Sequence, residues 1–165
     1  MCALSEAPLL LVAGIGNRYR TDDAVGLRLV GEWGGQGAAG VETQLWEEMD
    51  GMTIAEQLLA YARPVLIVDC AEMGLAGGET RLLRGESLTG CRCRGVVSSH
   101  GLGLAEALPL ATALGHAQPL WVLGVQPFAI AMGAELSPPM AMALPGLVRE
   151  LAAAVGEIVK ELAPG

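Results

Sequence analysis

The chain has 165 residues, of which 52% are apolar, and a formal net charge of −8 from 18 acidic and 10 basic residues. This length suits one domain with a substantial core, and the apolar share excludes an intrinsically disordered chain. The negative charge disfavours binding to nucleic acid and to anionic membranes, because both repel an acidic surface. Aromatic residues make up only 4% of the chain, which favours helices packed on a sheet over an aromatic-rich sandwich.

The N-terminal region predicts a buried strand, a tight turn and a helix. Residues 9–13, LLLVA, form a continuous apolar run that ends at a glycine, which is typical of a strand buried on both faces. Val25, Leu29 and Trp33 then recur at helical spacing, and Asp22 lies where an N-cap is expected. Because asparagine also caps helices well, the substitution Asp22→Asn is expected to be mild.

The middle of the chain predicts two further strands with a helix between them. Residues 41–46, VETQLW, alternate in polarity and indicate the second strand. A helix is expected over residues 52–62, and Pro64 ends it. Residues 65–69, VLIVD, form another apolar run, which indicates a doubly buried strand that ends at Asp69.

The last part of the chain predicts two strands and two helices. Residues 78–86 alternate with polar side chains and suit a strand near the edge of the sheet. A helix over residues 102–115 contains Pro109, which is expected to kink it or to split its last turn. Residues 119–125 indicate a fifth strand, and a long helix is expected over residues 139–162.

This alternation of strands and helices predicts a single α/β domain over residues 1–165. Parallel strands need crossover connections, and helices supply them. The expected architecture is a three-layer sandwich, in which a twisted, mostly parallel sheet of about five strands lies between two layers of helices. Residues 86–101 show no periodic pattern and are expected to be irregular.

The four cysteines, Cys2, Cys70, Cys91 and Cys93, are expected to be free thiols in a reducing cytoplasm. Cys91 and Cys93 are too close in sequence for an ordinary disulfide, so the alternative for them is a regulatory or metal-binding pair. The N-terminus lacks the basic segment of a signal peptide, and its apolar run is too short to span a bilayer. The sequence therefore predicts a cytoplasmic protein.

Acidic residues and a histidine collect where the predicted strands end. Asp22 and Asp23 follow the first strand, and Asp69 ends the third. His100 lies just before the predicted helix that contains Pro109. Ligands of open α/β sheets bind outside the carboxyl ends of the strands, so these side chains are expected to meet at one edge. Carboxylate oxygens and an imidazole nitrogen suit a divalent metal such as nickel or zinc.

Other kinds of site fit this edge less well. Tyr19 stands where a dinucleotide-binding fingerprint has its third glycine, and two acids in the turn would repel a phosphate. No G-x-S-x-G segment indicates a serine nucleophile. Cys70 is expected to be a buried apolar thiol, because the neighbouring Asp69 would raise its pKa.

Structural roles are the alternative for each candidate residue. For Asp22 and His100 the alternative is a capping role, and for Asp69 it is a hydrogen bond to the following loop. His116 has no acidic motif around it and is expected to be a surface loop residue.

Four segments in order resemble motifs of the hydrogenase maturation endopeptidase family. Residues 14–30, GIGNRYRTDDAVGLRLV, resemble its opening motif, which reads G-[IV]-G-N, four residues, then D-[DE]. LIVDC at residues 66–70 resembles the second motif, and SSHGLGLAEAL at residues 98–108 resembles the third. LWVLGVQP at residues 120–127, with the helix after it, resembles the last strand and the C-terminal helix. The resemblance covers about residues 9–160.

The resemblance implies a fold, an activity and a set of site residues. The fold is a twisted sheet between helix layers, of the phosphorylase/hydrolase type. Members remove a C-terminal extension from the large subunit of nickel–iron hydrogenase after nickel insertion. On this resemblance Asp23, Asp69 and His100 are the metal-contacting and catalytic candidates, and Asp22 matches a position that is not a ligand. The implied cofactor is nickel carried by the substrate, and the implied partner is the large-subunit precursor. The chain itself is expected to be a monomer.

Several alternatives stay open at this level. In one alternative the nickel is a catalytic Lewis acid. In the other the nickel only anchors the substrate for recognition, and the carboxylates act as the general base. The chain is alternatively a non-catalytic assembly factor or an autonomous metallopeptidase. A D-G-G-T-like loop that helps many members choose their substrate is absent from LWEEMDGMTIAEQL, which leaves the client hydrogenase class open. Residues 47–53 are expected to face the edge that holds Asp23 and Asp69, and to meet a basic patch of the client.

Overall fold

The computed structural model describes residues 8–89, 97–98 and 103–164 of the chain. The strands in this part are β1 (Leu10–Gly16), β2 (Val41–Glu47), β3 (Val65–Glu72), β4 (Thr80–Arg84), β5 (Val97–Ser98) and β6 (Leu120–Val125). The helices are α1 (Val25–Trp33), α2 (Gly51–Ala60), α3 (Gly85–Thr89), α4 (Leu104–Ala113) and α5 (Pro138–Leu162). A 3-10 turn over Thr21–Ala24 leads into α1.

The sheet is mostly parallel, as the alternation of strands and helices predicts. Its strand order is β2-β1-β3-β6-β4. β1 lies between β2 and β3 and is parallel to both, and β3 is parallel to β6. β4 forms the edge and is antiparallel to β6, which confirms the predicted edge position of this strand. β5 lies off this path and pairs antiparallel with the end of β3.

Helices cover both faces of the sheet and give three layers. α1 contacts α5, and α2 contacts α4. Along β1, Leu10 and Val12 join the core beneath α1 and α5, whereas Leu11, Ala13 and Ile15 join the core beneath α2 and α4. Successive residues of a strand point to opposite faces, so a strand covered on both sides needs a continuous apolar run. The predicted three-layer sandwich is confirmed.

Two expectations about element boundaries are wrong. β3 does not end at Asp69 but continues to Glu72, because β5 supplies its last residues with a partner and places Ser98 opposite Ala71. Residues 86–101, expected to be irregular, include part of α3 and all of β5; residues 90–96 and 99–102 lie outside the described part. Pro109 lies inside α4, which runs as one helix.

The described residues also test the expectations about cysteines and membranes. Cys70 is a buried free thiol, as expected, whereas Cys2, Cys91 and Cys93 lie outside the described residues. In the portion of the chain that the structure describes, no helix is both long and apolar enough to cross a membrane.

Candidate functional site

Close packing of α1 on the sheet sets the position of the turn that carries Asp23. Gly26 lies in the first turn of α1, where a Cβ would overlap the carbonyl oxygen of Val68 and lie 2.6 Å from that of Ile15. Gly16 ends β1 with a φ of +152°, and a Cβ there would overlap the Asp23 carbonyl oxygen. Only glycine allows the helix and the two strands to approach so closely. The turn is therefore held directly over the carboxyl ends of β1 and β3.

Asp23 and Asp69 are the two predicted site residues that the structure describes. Their relative exposures are 0% and 1%. The turn that holds Asp23 contacts β1 and β3, and Asp69 lies within β3, opposite Gly124 of β6. Burial raises the pKa of the Cys70 thiol, and the negative charges of Asp69 and Asp23 raise it further. The structure thus brings two carboxylates from separate elements to the carboxyl edge of the sheet.

The third predicted residue, His100, lies outside the described residues. Ser98, two positions earlier in the sequence, pairs opposite Ala71 at the end of β3. Among the side chains that the structure describes, no three His, Cys, Asp or Glu residues form a group that could hold a metal ion. A metal contact through Asp23, Asp69 and His100 therefore stays a prediction.

Asp22 does not cap α1, so the capping interpretation is wrong. The N-cap of α1 is Ala24, which makes no side-chain capping bond. Asp22 Oδ2 instead accepts hydrogen bonds from the backbone N–H groups of Phe128 (2.9 Å) and Ala129 (3.0 Å). Ser137 donates from Oγ to Oδ2 and from its N–H to Oδ1, both at 2.8 Å. These donors follow Asp22 by more than a hundred positions in the sequence. They occupy the carboxylate that the local sequence pattern predicted to cap α1.

The loop between β6 and α5, residues 126–137, is fixed to the 3-10 turn by further hydrogen bonds. The Thr21 N–H donates to the Gly133 carbonyl, and the Gly133 N–H donates to the Tyr19 carbonyl, both at 3.0 Å. Thr21 Oγ1 accepts from the Ala131 N–H at 2.9 Å. Thr21 has a φ of +46°, a strained value for a β-branched residue that these contacts hold in place. The loop and the turn therefore form one ordered wall beside Asp23.

Gln126 is a buried polar residue that directly follows β6, and the sequence patterns did not predict its role. Its Oε1 accepts from the N–H groups of Met73 (2.7 Å) and Leu75 (3.3 Å), and its Nε2 donates to Glu72 Oε1 at 2.7 Å. These bonds fix the segment that follows β3. The available signal was a polar residue directly after the apolar run LWVLGV.

The loop between β2 and α2 lies at the same edge of the sheet, as expected. Gly16 at the end of β1 is opposite Glu47, and the Glu48 N–H donates to the Gly16 carbonyl at 3.0 Å. Glu48 has a φ of +53° and an exposed side chain. This confirms the predicted placement of the start of the loop beside the turn that carries Asp23.

Two of the three acids of this loop have local partners. Arg18 forms an ion pair with Glu47, with Nη2 2.7 Å from Oε2. Asp50 is the N-cap of α2 and accepts from the Thr53 N–H at 2.8 Å, and hydrogen bonds from Thr53 lower the pKa of Asp50. Glu48 is thus the acid of this loop most available to a partner.

His116 lies at the opposite edge of the sheet. It follows α4 and precedes the first residue of β6, and it lines a cavity of about 510 Å³ together with Arg84 and Glu161. The prediction of a loop position is confirmed, but the side chain is half-buried, and burial lowers the pKa of the imidazole. His116 is therefore remote from the edge that holds Asp23 and Asp69.

Comparison with known proteins agrees with the resemblance seen in the motifs. Residues 42–154 match a family described as HycI, hydrogenase maturation protease, and this match spans more than half of the chain. The chain belongs to the hydrogenase maturation protease family. The members that it resembles are endopeptidases, so this maturation protease is assigned to the peptidases. A comparison with curated protein sequences gives no significant match.

Solved structures of maturation proteases share the fold. The hydrogenase maturating endopeptidase HybD from E. coli is 25% identical, with a TM-score of 0.71 over 90% of this chain and 92% of that one. The [NiFe] hydrogenase maturation protease HycI from Thermococcus kodakarensis KOD1 is 24% identical, with a TM-score of 0.69 over 92% of this chain and 94% of that one. An endopeptidase from Escherichia coli is 25% identical, with a TM-score of 0.72.

Proposed function

We propose that this maturation protease removes a C-terminal extension from the large subunit of a nickel–iron hydrogenase after nickel insertion. The observation that carries the proposal is the pair of buried carboxylates, Asp23 and Asp69, which separate elements hold at the carboxyl edge of the sheet. Burying a carboxylate costs free energy, so two buried acids at one edge of the sheet indicate a place where the protein needs their chemistry. This edge is also where open α/β sheets bind their ligands.

The nickel belongs to the substrate in this proposal. Asp23 and Asp69 supply oxygen donors from the described part of the site, and His100 supplies an imidazole nitrogen in the sequence motif. This mixture of donors suits nickel and other borderline divalent ions. A precursor without nickel lacks the cation that the anionic edge attracts, which explains why processing would wait for nickel insertion.

The carboxylates also provide the chemistry of peptide hydrolysis. A carboxylate of Asp23 or Asp69 accepts a proton from a water molecule, whose oxygen bonds to the carbonyl carbon of the scissile peptide. The same acid returns the proton to the departing amine as the C–N bond breaks. The nickel holds the precursor in register at this edge while the carboxylates move the proton.

The experiment compares nickel-loaded and nickel-free precursors. The purified protease is incubated with each, and the mass of the large subunit is measured. We expect a shortened subunit only from the nickel-loaded precursor, and no shortening with Asp69→Asn. The exposed Glu157 lies near the end of α5, so Glu157→Gln is the control that removes one acidic charge outside the site.

Two outcomes contradict the proposal, and each supports a different alternative function. A stable complex without cleavage identifies a non-catalytic assembly factor. Cleavage of the nickel-free precursor by a protease that carries stoichiometric zinc identifies an autonomous metallopeptidase. Metal analysis of the purified chain separates these outcomes.

A further inference from the structure

The loop between β6 and α5 exposes a run of consecutive apolar residues. Residues 128–134, FAIAMGA, are all exposed, and none has a polar side chain. Phe128, Ile130 and Met132 have relative exposures of 43%, 36% and 84%. Contiguous exposed apolar surface is uncommon on soluble proteins and marks sites of interaction.

Tyr19, which precedes the 3-10 turn, is a further exposed aromatic residue whose backbone is bonded to this loop. Its side chain is 56% exposed, and its carbonyl accepts the hydrogen bond from the Gly133 N–H. We call Tyr19, Phe128, Ile130 and Met132 the apolar rim.

The apolar rim is held in shape by its surroundings. The Phe128 ring lies against Gly77 and Gly78, and a Cβ on Gly78 would be 3.1 Å from the ring. The backbone N–H groups of Phe128 and Ala129 are bound by the buried carboxylate of Asp22. A surface ordered in advance loses little conformational entropy when a partner binds, so these contacts favour recognition.

The apolar rim also borders the candidate catalytic edge. Asp22, which anchors the loop, is the direct neighbour of Asp23 in the 3-10 turn. A protein that brings a peptide bond to Asp23 and Asp69 therefore meets the apolar rim as well. A second copy of this chain bound at the rim would instead obstruct that edge.

We propose that the apolar rim docks an apolar surface of the hydrogenase large-subunit precursor, next to the extension that is removed. This inference rests on the proposed function and adds a recognition surface to it. Because residues 128–134 carry no charge, the docking depends on apolar burial and is insensitive to salt.

The test measures KM and kcat for nickel-loaded precursor with Ile130→Ser and Met132→Ser. Burial of one such side chain corresponds to about a tenfold change in affinity, so KM is expected to rise about tenfold at both low and high ionic strength. We expect kcat to stay within about twofold, since neither residue belongs to the acidic pair. Met142→Ser is the matched control, because Met142 is also 84% exposed but lies on α5, and its KM is expected to be unchanged.

The outcomes separate failure of the rim from failure of the proposed site. If both rim variants keep the parental KM while Asp69→Asn abolishes processing, the docking proposal is rejected and the site stands. If Asp69→Asn processes normally while the rim variants raise KM, the site assignment fails and the docking surface stands. A dimer in sedimentation that Met132→Ser dissociates, with no change in KM, shows that a second copy occupies the rim and overturns the proposal.

Discussion

Asp22 and Asp23 are adjacent and equally buried, yet they have different surroundings. In a 3-10 turn successive side chains point about 120° apart, so neighbours face different parts of the molecule. Asp22 turns towards the β6–α5 loop and accepts four hydrogen bonds there. Asp23 lies on the turn that contacts β3, the strand of Asp69. Asp22 therefore fixes the loop beside the site, and Asp23 is the candidate for the chemistry of the site.

This division predicts that Asp22→Asn is destabilising rather than mild. An amide NH2 in place of either oxygen faces at least one of the donors from Phe128, Ala129 and Ser137, and leaves that donor unsatisfied. We expect a loss of about 2 kcal/mol in the free energy of unfolding, measured by denaturant titration. Asp23→Asn is the companion variant, expected to abolish processing. Parental stability in Asp22→Asn would contradict the role given to this carboxylate.

Cys70 provides a prediction about pH. Its usual pKa is 9.0, and burial, followed by Asp69, raises the pKa in the folded protein. Above about pH 9 the Cys70 thiol stays neutral in the folded state but ionises in the unfolded state. The contribution of this thiol to the free energy of unfolding is therefore fully present below about pH 9 and is lost as the pH rises above that value.

Comparison with Cys70→Ala isolates this effect. The stability difference between the parental protein and Cys70→Ala is expected to shrink by about 1 kcal/mol between about pH 8 and about pH 10. Unfolding by guanidinium at the two pH values measures it. A difference that does not change with pH would show that the folded thiol ionises normally.

At the scale of elements, the contact of α1 with the sheet depends on a glycine. Gly26 costs helix propensity relative to alanine, but it lets the backbone of α1 approach the carbonyls of β1 and β3. Gly31 lies in the same helix, where a Cβ would meet only a Leu45 methyl group at 4.0 Å. The two glycines therefore have opposite consequences when replaced.

Gly26→Ala is expected to destabilise the fold by at least about 2 kcal/mol, because the added methyl overlaps backbone atoms that cannot move aside. Gly31→Ala is expected to stabilise it by up to about 1 kcal/mol through helix propensity. Gly26→Ala should also reduce processing, since it displaces the turn of Asp23. Thermal unfolding of both variants is the measurement, and a stabilising Gly26→Ala would contradict the close approach.

Sequence patterns predict the elements whose signals are local. The apolar runs at residues 9–13 and 65–69 identify the buried strands, and parallel neighbours bring Asp23 and Asp69 to one edge as expected. Longer-range features were not predictable. β3 reaches Glu72 because of its pairing with β5, and Asp22 takes its partners from a distant loop. Neither partner has a signature in the sequence next to it.

At the scale of the whole molecule, the net charge of −8 affects encounter with a partner. Charge near a binding edge changes association rates mainly at low salt. Residues 47–53 contain the acids Glu47, Glu48 and Asp50, but Arg18 already neutralises Glu47, and Asp50 caps α2. Any steering of a basic client by this loop thus depends chiefly on Glu48.

We expect Glu48→Gln to slow processing about twofold at low ionic strength and to have little effect at high ionic strength. Glu157→Gln makes the same change in net charge far from the loop and is expected to have no effect at either salt concentration. Processing rates of both variants provide the measurement. Equal slowing at both ionic strengths would indicate that Glu48, with its positive φ, has a structural role instead.

The contact of Asp23, Asp69 and His100 with the nickel of the precursor is the central claim. Nickel K-edge X-ray absorption of a rapidly frozen complex between protease and nickel-loaded precursor tests it most directly. We predict that nickel gains oxygen and nitrogen neighbours in the complex relative to the precursor alone, and that Asp69→Asn and His100→Ala each remove part of this gain. A nickel spectrum that does not change when the protease binds would contradict the claim, as would a gain that both variants retain in full.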